Sequence, residues 1–231
     1  ALLFDIKAMK ALEFNMIRKH IKIEPARWYM HCDREGILVW QDLPSPNLPS
    51  GYEDYAKKNF EDESKRIITA FRNHPSIIQW VVFNEGWGQF DTERMTQIVI
   101  GEVGQSLVCC ASGWVDAPIG DIKDSHSYPN PSCPLDETRA GVCGEYGGIT
   151  LKVQGHIWPG GDFQYTTVET GKDFTVLFNN LADKVIDHYY YGLNAAVYTQ
   201  LSDVEIEKNG IYTYDRRVLK PYSATGELKT K

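Results

Sequence analysis

The stretch Ser76–Phe90, "SIIQWVVFNEGWGQF", joins an almost continuous apolar run to a short polar one. Such a run is typical of a strand that is buried on both faces of a parallel sheet. Asn84 and Glu85 end the run, and the sequence Gly-Trp-Gly follows directly. A carboxylate at this position indicates that the strand opens into a cleft at its carboxyl end, where α/β proteins bind their ligands.

The rest of the chain alternates similar runs with helical patterns. Seven strands are predicted near residues 14, 37, 77, 107, 122, 140 and 195, and apolar residues at helical spacing fill most of the intervals. This alternation is typical of an α/β fold with a parallel sheet. A (β/α)8 TIM barrel has eight strands, so seven strands after an opening helix predict a barrel that lacks its first strand. A doubly wound open sheet shows the same alternation, but no Gly-rich phosphate loop follows any strand.

Composition and charge exclude several classes of partner. The formal net charge is −7 and the sequence pI is about 5.4, which opposes binding to nucleic acid and to anionic membranes. No apolar run approaches the roughly 20 residues that cross a bilayer. The five cysteines show no C-x-x-C spacing, so neither a metal site nor a disulfide framework is expected, and no cofactor is implied. The sequence does not distinguish a cytoplasmic protein from a periplasmic or secreted one.

The residues at the carboxyl ends of the predicted strands are polar, aromatic and acidic. Two glutamates stand out because a glycine follows each closely: Glu85 in "FNEGWG" and Glu145 in "CGEYGG". Two carboxylates across a sugar can hydrolyse a glycosidic bond, whereas a single one is more often an ion-pair partner at a barrel rim. The set comprises Arg18, His20, Gln41, Asp42, Asn84, Glu85, Trp114, Asp116, His126, Tyr128, Glu145, Tyr146, Gln200 and Asp203.

Four segments resemble glycoside hydrolase family 2, the family of β-galactosidases, β-glucuronidases and β-mannosidases. They are "FNMIRKHIKIEPARWYMHCDREGILVWQD", "HPSIIQWVVFNEGWG", "GEYGG" and "YTQLSDVEIEKNGIYTYDR", and in this order they span nearly the whole chain, from Phe14 to Arg216. The resemblance implies that Glu85 is the acid/base and Glu145 the nucleophile. It also implies that Asn84 holds the sugar 2-hydroxyl, that Tyr128 hydrogen-bonds the nucleophile, and that His126 lines the pocket.

Further residues are candidates for substrate binding. Arg18 and His20 could bind hydroxyl groups, although Arg18 could equally form an ion pair at the barrel mouth. Asp42 is assigned to the pocket, and Trp87 is expected to cover Glu85. Two more aromatic residues complete the prediction: Trp158, as a sugar platform on a loop with core filling as its alternative, and Tyr198, in place of a tryptophan that many family members carry on the last strand.

We therefore predict one TIM-barrel catalytic domain over residues 1–231, as a fragment of a larger multidomain enzyme. The expected activity is that of a retaining exo-β-glycosidase acting on a carbohydrate. A β-galactosidase-like specificity is preferred, because no Asn-x-Lys motif is present and β-glucuronidases of the family use that motif to hold the sugar carboxylate. A barrel without one strand exposes edges, so pairing with a second chain, such as a homo-oligomer, is expected there.

Two alternatives belong to other classes. A truncated barrel could be catalytically weak or inactive and only bind carbohydrate, as the missing strand suggests. A barrel lyase or isomerase would need a phosphate or metal site, and the sequence contains neither a Gly-rich phosphate loop nor spaced metal ligands.

Overall fold

The structure is a computed structural model that describes residues 2–45 and 53–221. All seven predicted strands are present, and two short strands that the sequence did not predict, β7 and β8, follow the sixth. In chain order the elements are α1 Leu2–Ala11, β1 Met16–Lys19, α2 Ala26–Glu35, β2 Leu38–Asp42, α3 Asp54–Phe71, β3 Ile77–Asn84, α4 Thr92–Val103, β4 Leu107–Ser112, β5 Ile122–His126, β6 Ala140–Gly147, β7 Ile149–Thr150, β8 Thr166–Thr167, α5 Gly171–Tyr190 and β9 Ala195–Thr199.

The chain divides into two compact units. The first unit runs to Ser125 and includes Pro134–Gly141; the second takes in His126–Cys133 and the chain from Val142 onward. The assignment of all 231 residues to a single domain stays a prediction.

The first unit contains a four-stranded parallel sheet in the order β1-β2-β3-β4. Its strands are held in register by the pairs Arg18–Trp40 and Asn84–Ser112, among others. Because all four strands run the same way, their carboxyl ends lie along one edge of this sheet. The side chain of Trp80 is fully buried in the core below that edge.

The helices of this unit follow the predicted apolar stripes, with two corrections. Helix α2 ends as expected at Gly36, whose left-handed backbone (φ 66°) closes the helix. The apolar spacing of the sequence predicts a helix from about Tyr52 to Asn73 with Tyr55 on its inner face, but Tyr55 is 74% exposed and lies in the first turn of α3. The predicted start of α3 at Tyr52 lies outside the described residues. The sequence also predicts that Asp91 caps α4, but Asp91 forms no side-chain cap, since its own backbone is left-handed (φ 40°).

The second unit is built on β6, β9 and α5. Strands β6 and β9 pair in parallel, and β7 and β8 form a separate two-stranded ladder. Thr170 caps α5 by accepting a hydrogen bond from the backbone N–H of Asp173. Phe174 and Phe178 on the buried face of α5 pack against each other with ring centroids 6.5 Å apart. The unit therefore has its own apolar core.

Among the described residues, no helix has the combination of length and apolar character that spanning a membrane requires.

Candidate active site

Arg18, at the end of β1, makes a forked contact with Asp42 at the end of β2. Its Nε lies 3.2 Å from Oδ1 of Asp42, and its Nη2 lies 2.8 Å from Oδ2. The same Nη2 donates to Oδ1 of Asn84, the last residue of β3, at 2.7 Å. Three neighbouring parallel strands therefore place their terminal polar side chains in one hydrogen-bonded group.

His20 joins this group from the residue after β1. Its Nδ1 lies 3.2 Å from Oδ2 of Asp42, and the imidazole is half exposed. Burial alone would raise the pKa of Asp42, but the Arg18 guanidinium and the His20 hydrogen bond outweigh it and hold that pKa below its ordinary value. Asp42 is therefore an anion that orients Arg18 and His20. Arg18 thus forms the ion pair that was the alternative to hydroxyl binding, and four predicted site residues (Arg18, His20, Asp42 and Asn84) lie in one hydrogen-bonded group.

Glu85 lies immediately after β3 on a strained backbone. Its φ is 54°, an unusual value for a residue other than glycine, and its N–H donates to the Ser112 carbonyl at 2.8 Å. Gly86 continues the left-handed turn (φ 78°), and a Cβ there would lie 2.7 Å from Cγ2 of Val115. Trp87 is 39% exposed, and its N–H donates to the Asn84 carbonyl at 3.1 Å. The glycine is thus required by the turn that presents Glu85.

In the second unit, Glu145 lies on β6 and contacts two predicted site residues. The Tyr128 hydroxyl donates to Oε2 of Glu145 at 2.6 Å, and Nδ1 of His126 lies 3.5 Å from the same oxygen. The His126 side chain is fully buried, and that of Glu145 is 15% exposed. Tyr128 is also bonded to Oγ1 of Thr199, at the end of β9, at 2.9 Å. Glu145 is therefore held in place and retains limited access to solvent.

Tyr128 is itself fixed by packing. Its ring stacks on Tyr165 with centroids 3.7 Å apart and planes 5° apart. Burial and the Glu145 charge both raise the pKa of the Tyr128 phenol well above its ordinary value. The phenol is therefore a proton donor toward Glu145 throughout the physiological pH range.

Two predicted sugar-binding aromatic residues differ in exposure. Trp158 is 46% exposed, and its ring packs edge-on against Tyr214 with centroids 5.3 Å apart. Tyr198 is 7% exposed and packs against Tyr146 and Phe178, with centroids 5.6 and 4.8 Å away. The exposure of Trp158 suits a sugar platform, whereas Tyr198 belongs to the core of its unit.

Two polar residues, Thr199 and Asp124, were not predicted from the sequence. Thr199 is hydrogen-bonded to Tyr128. A threonine inside an apolar strand is common, so the sequence does not mark it as a site residue. Asp124 is 2% exposed in β5 and accepts a hydrogen bond from the Ser112 hydroxyl. The sequence does indicate Asp124, because the alternation in "IKDSH" puts an acidic residue at a buried position of the strand.

The parallel sheet and its polar carboxyl edge define the class of protein: an α/β protein with polar and acidic side chains at the ends of its strands. Solved structures share this fold at low sequence identity. A β-galacturonidase from Eisenbergiella tayi bound to galacturonate gives a TM-score of 0.72 at 17% identity, covering 95% of this chain and 45% of that one. A β-glucuronidase from Bifidobacterium dentium gives 0.65 at 18% identity, covering 96% and 41%.

Residues 1–122, more than half of the chain, match the family described as "Glycosyl hydrolases family 2, TIM barrel domain". The chain belongs to glycosyl hydrolase family 2. Among curated relatives, a β-galactosidase of Oenococcus oeni is 35% identical over 94 residues, which are 37% of this chain and 9% of that protein. A β-galactosidase large subunit of Lactobacillus acidophilus is 26% identical over 147 residues, 55% of this chain and 23% of that protein. The chain thus spans a small part of these relatives.

Proposed function

We propose that this chain supplies the catalytic barrel of a retaining exo-β-glycosidase. Its family membership and its β-galactosidase relatives support hydrolysis of a β-glycosidic bond. The observation that carries the proposal is the 2.6 Å hydrogen bond from Tyr128 to Glu145 on β6. A donor of this kind keeps a carboxylate ionised, which a nucleophile requires.

In the proposed mechanism Glu145 attacks the anomeric carbon and the bond to the leaving oxygen breaks. Glu85 gives its proton to that oxygen, and the sugar becomes an ester of Glu145. Glu85 then takes a proton from water as the water oxygen attacks the anomeric carbon and releases Glu145. Two displacements return the original β configuration.

Asn84 is proposed to hold the 2-hydroxyl of the sugar. Its Oδ1 accepts a hydrogen bond from Arg18, so the orientation of the amide is set and its NH2 group is the donor presented to a ligand. A hydrogen bond to the 2-hydroxyl that strengthens in the transition state accelerates the first displacement. Arg18, Asp42 and His20 act here by positioning Asn84 and by contacting further hydroxyl groups.

The preferred substrate is a terminal β-galactoside. Several curated relatives named as β-galactosidases support this choice, and the putative β-glucuronidases among the curated relatives make a β-glucuronide the competing substrate. The predicted partner is therefore a carbohydrate, and pairing through the edge strand β1 stays a prediction.

Azide rescue tests the two roles. In Glu145→Gly, azide should attack the anomeric carbon of 2,4-dinitrophenyl β-galactoside and displace dinitrophenolate, giving the α-glycosyl azide. In Glu85→Ala, azide should attack the glycosyl ester and give the β-glycosyl azide. Glu137→Gln, at an exposed carboxylate of the first unit, is the matched control and should keep full activity. Equal turnover by all three variants would refute the proposal, and sugar binding without turnover by the unaltered protein would favour a binding barrel.

A further inference from the structure

The loop after β4, residues 113–121, packs against the turn that presents Glu85. Nε2 of Gln89 donates to the Val115 carbonyl at 3.0 Å, and a Cβ on Gly86 would lie 2.7 Å from Cγ2 of Val115. The Glu85 N–H donates to the last carbonyl of β4 at 2.8 Å. The backbone around Glu85 is therefore held from the side of β4 and its loop.

Asp116 anchors this loop through a forked contact with Arg139. Nη1 and Nη2 of Arg139 each lie 2.9 Å from one carboxylate oxygen of Asp116, and Nη1 also donates to the Ala117 carbonyl at 2.8 Å. Nζ of Lys123 lies 2.9 Å from Oδ2 of Asp116. Burial alone would raise the pKa of Asp116, but the hydrogen bonds from Arg139 and Lys123 outweigh it and lower that pKa. Asp116 is therefore an anion held by two cations.

Arg139 is itself fixed from its other side by Asp136. Nη2 and Nε of Arg139 lie 2.7 and 3.1 Å from Oδ2 of Asp136. Oδ1 of Asp136 accepts from the N–H groups of Thr138 and Arg139, each at 3.0 Å. The Arg139 side chain is only 7% exposed. A planar guanidinium bound by two carboxylates has little freedom to turn, so the loop after β4 is tied to a rigid group.

We propose that Asp116 is a positioning residue for Glu85. This role rests on the proposed function of Glu85 as the acid/base. Asp116 holds its neighbour Val115 in place, and Val115 lies against Gly86 and Gln89 in the turn that presents Glu85. A general acid must lie within hydrogen-bond reach of the oxygen that it protonates. A turn displaced by about an ångström would therefore impair proton transfer to the leaving group.

The dependence on the leaving group separates this role from a merely structural one. kcat/KM, which reports the steps up to the glycosyl ester, is measured for phenyl and 2,4-dinitrophenyl β-galactoside. Phenolate leaves poorly without a proton, whereas dinitrophenolate needs none. Asp116→Asn keeps the shape of the side chain and leaves Arg139 paired with Asp136. We expect it to lower kcat/KM by about tenfold or more for the phenyl galactoside and by less than about threefold for the dinitrophenyl galactoside.

Glu61→Gln is the matched control, because Glu61 is a similarly buried carboxylate of the same unit that pairs with Arg94 and Lys65. It should leave both values of kcat/KM unchanged. Equal losses on the two galactosides in Asp116→Asn would overturn the positioning role. Glu85→Ala distinguishes the two proposals, since it should show the leaving-group dependence more strongly. Its absence in Glu85→Ala would refute the acid role itself, whereas its absence in Asp116→Asn alone would refute only the positioning role.

A second measurement does not require turnover. Hydrogen–deuterium exchange of a peptide covering Glu85–Gln89 reports how firmly the backbone of the turn is held. We expect this exchange to be several-fold faster in Asp116→Asn than in the unaltered protein and unchanged in Glu61→Gln. Exchange that is unchanged in Asp116→Asn would overturn the positioning role, whichever galactoside is hydrolysed.

Discussion

Arg18 and Asp42 form a forked ion pair across the carboxyl ends of β1 and β2, with both side chains 2% exposed. A buried pair of this kind repays its desolvation only when further hydrogen bonds complete it. Asn84 and His20 provide those bonds in this structure. The pair therefore links the sheet of the first unit to the residues proposed to bind the sugar.

Asp42→Asn should lower the free energy of unfolding by about 3 kcal/mol at pH 7, since it leaves the Arg18 charge buried without its partner. The pKa of Asp42 lies below its ordinary value, so its stabilising contribution is fully present above about pH 4 and is lost as the pH falls further. The difference between the two proteins should therefore be constant from pH 5 to 7 and shrink in more acidic solution. Urea unfolding at several pH values measures this difference in the free energy of unfolding. A difference that grows on acidification would show that the ionised Asp42 is not the stabilising form.

Tyr128→Phe should reduce kcat by about tenfold to a hundredfold, because it removes the donor to Glu145 and keeps the ring that stacks on Tyr165. The acid limb of the kcat/KM profile should move to higher pH, since a carboxylate that loses a donor is protonated more readily. Stopped assays over pH 4–8 measure both effects. Tyr165→Phe is the control, and it should leave the acid limb in place. A Tyr128→Phe profile identical to that of the unaltered protein would show that the hydrogen bond does not matter.

Gly147→Ala should destabilise the protein by about 3 kcal/mol or more. Gly147 has φ 98°, and a Cβ there would lie 2.4 Å from Cε2 of the buried Tyr198, so backbone strain and overpacking add together. Gly155→Ala is the matched control, because its φ is 82° and no atom lies within 4 Å of the added carbon. The control substitution should lower the free energy of unfolding by only about 1–2 kcal/mol. Chemical denaturation of both variants gives the comparison, and equal losses would show that the Tyr198 contact is unimportant.

Lys220→Met should lower the free energy of unfolding by about 3–5 kcal/mol, because Asp203 then lies buried without its cation. Burial raises the pKa of Asp203 and lowers that of Lys220 despite their attraction, so the pair itself is costly to bury. The double variant Asp203→Asn/Lys220→Met should therefore recover much of the loss. A double-mutant cycle by thermal or urea unfolding measures this recovery. A double variant less stable than Lys220→Met would show that the buried charge of Asp203 is not the cause of the loss.

The sequence alone was sufficient for the fold class and for the principal strands. Buried parallel strands carry long apolar runs, and the stretch Ile77–Phe83 could not belong to an exposed element. Family-specific motifs then extended the interpretation to Glu85 and Glu145. Local patterns were less reliable at helix ends: Tyr55 looked like a core residue and is exposed, because the apolar stripe of α3 begins only one turn later.

The tertiary structure alone decided which side chains meet. Arg18, Asp42 and Asn84 are 24 to 66 residues apart in sequence, and only parallel pairing of β1, β2 and β3 brings their polar groups within 2.7–3.2 Å. The same holds for Thr199 and Tyr128, 71 residues apart. Sequence periodicity reports whether a residue faces the core, since burial depends on local pattern. Hydrogen bonds between distant strands depend on register, which is set only when the sheet assembles.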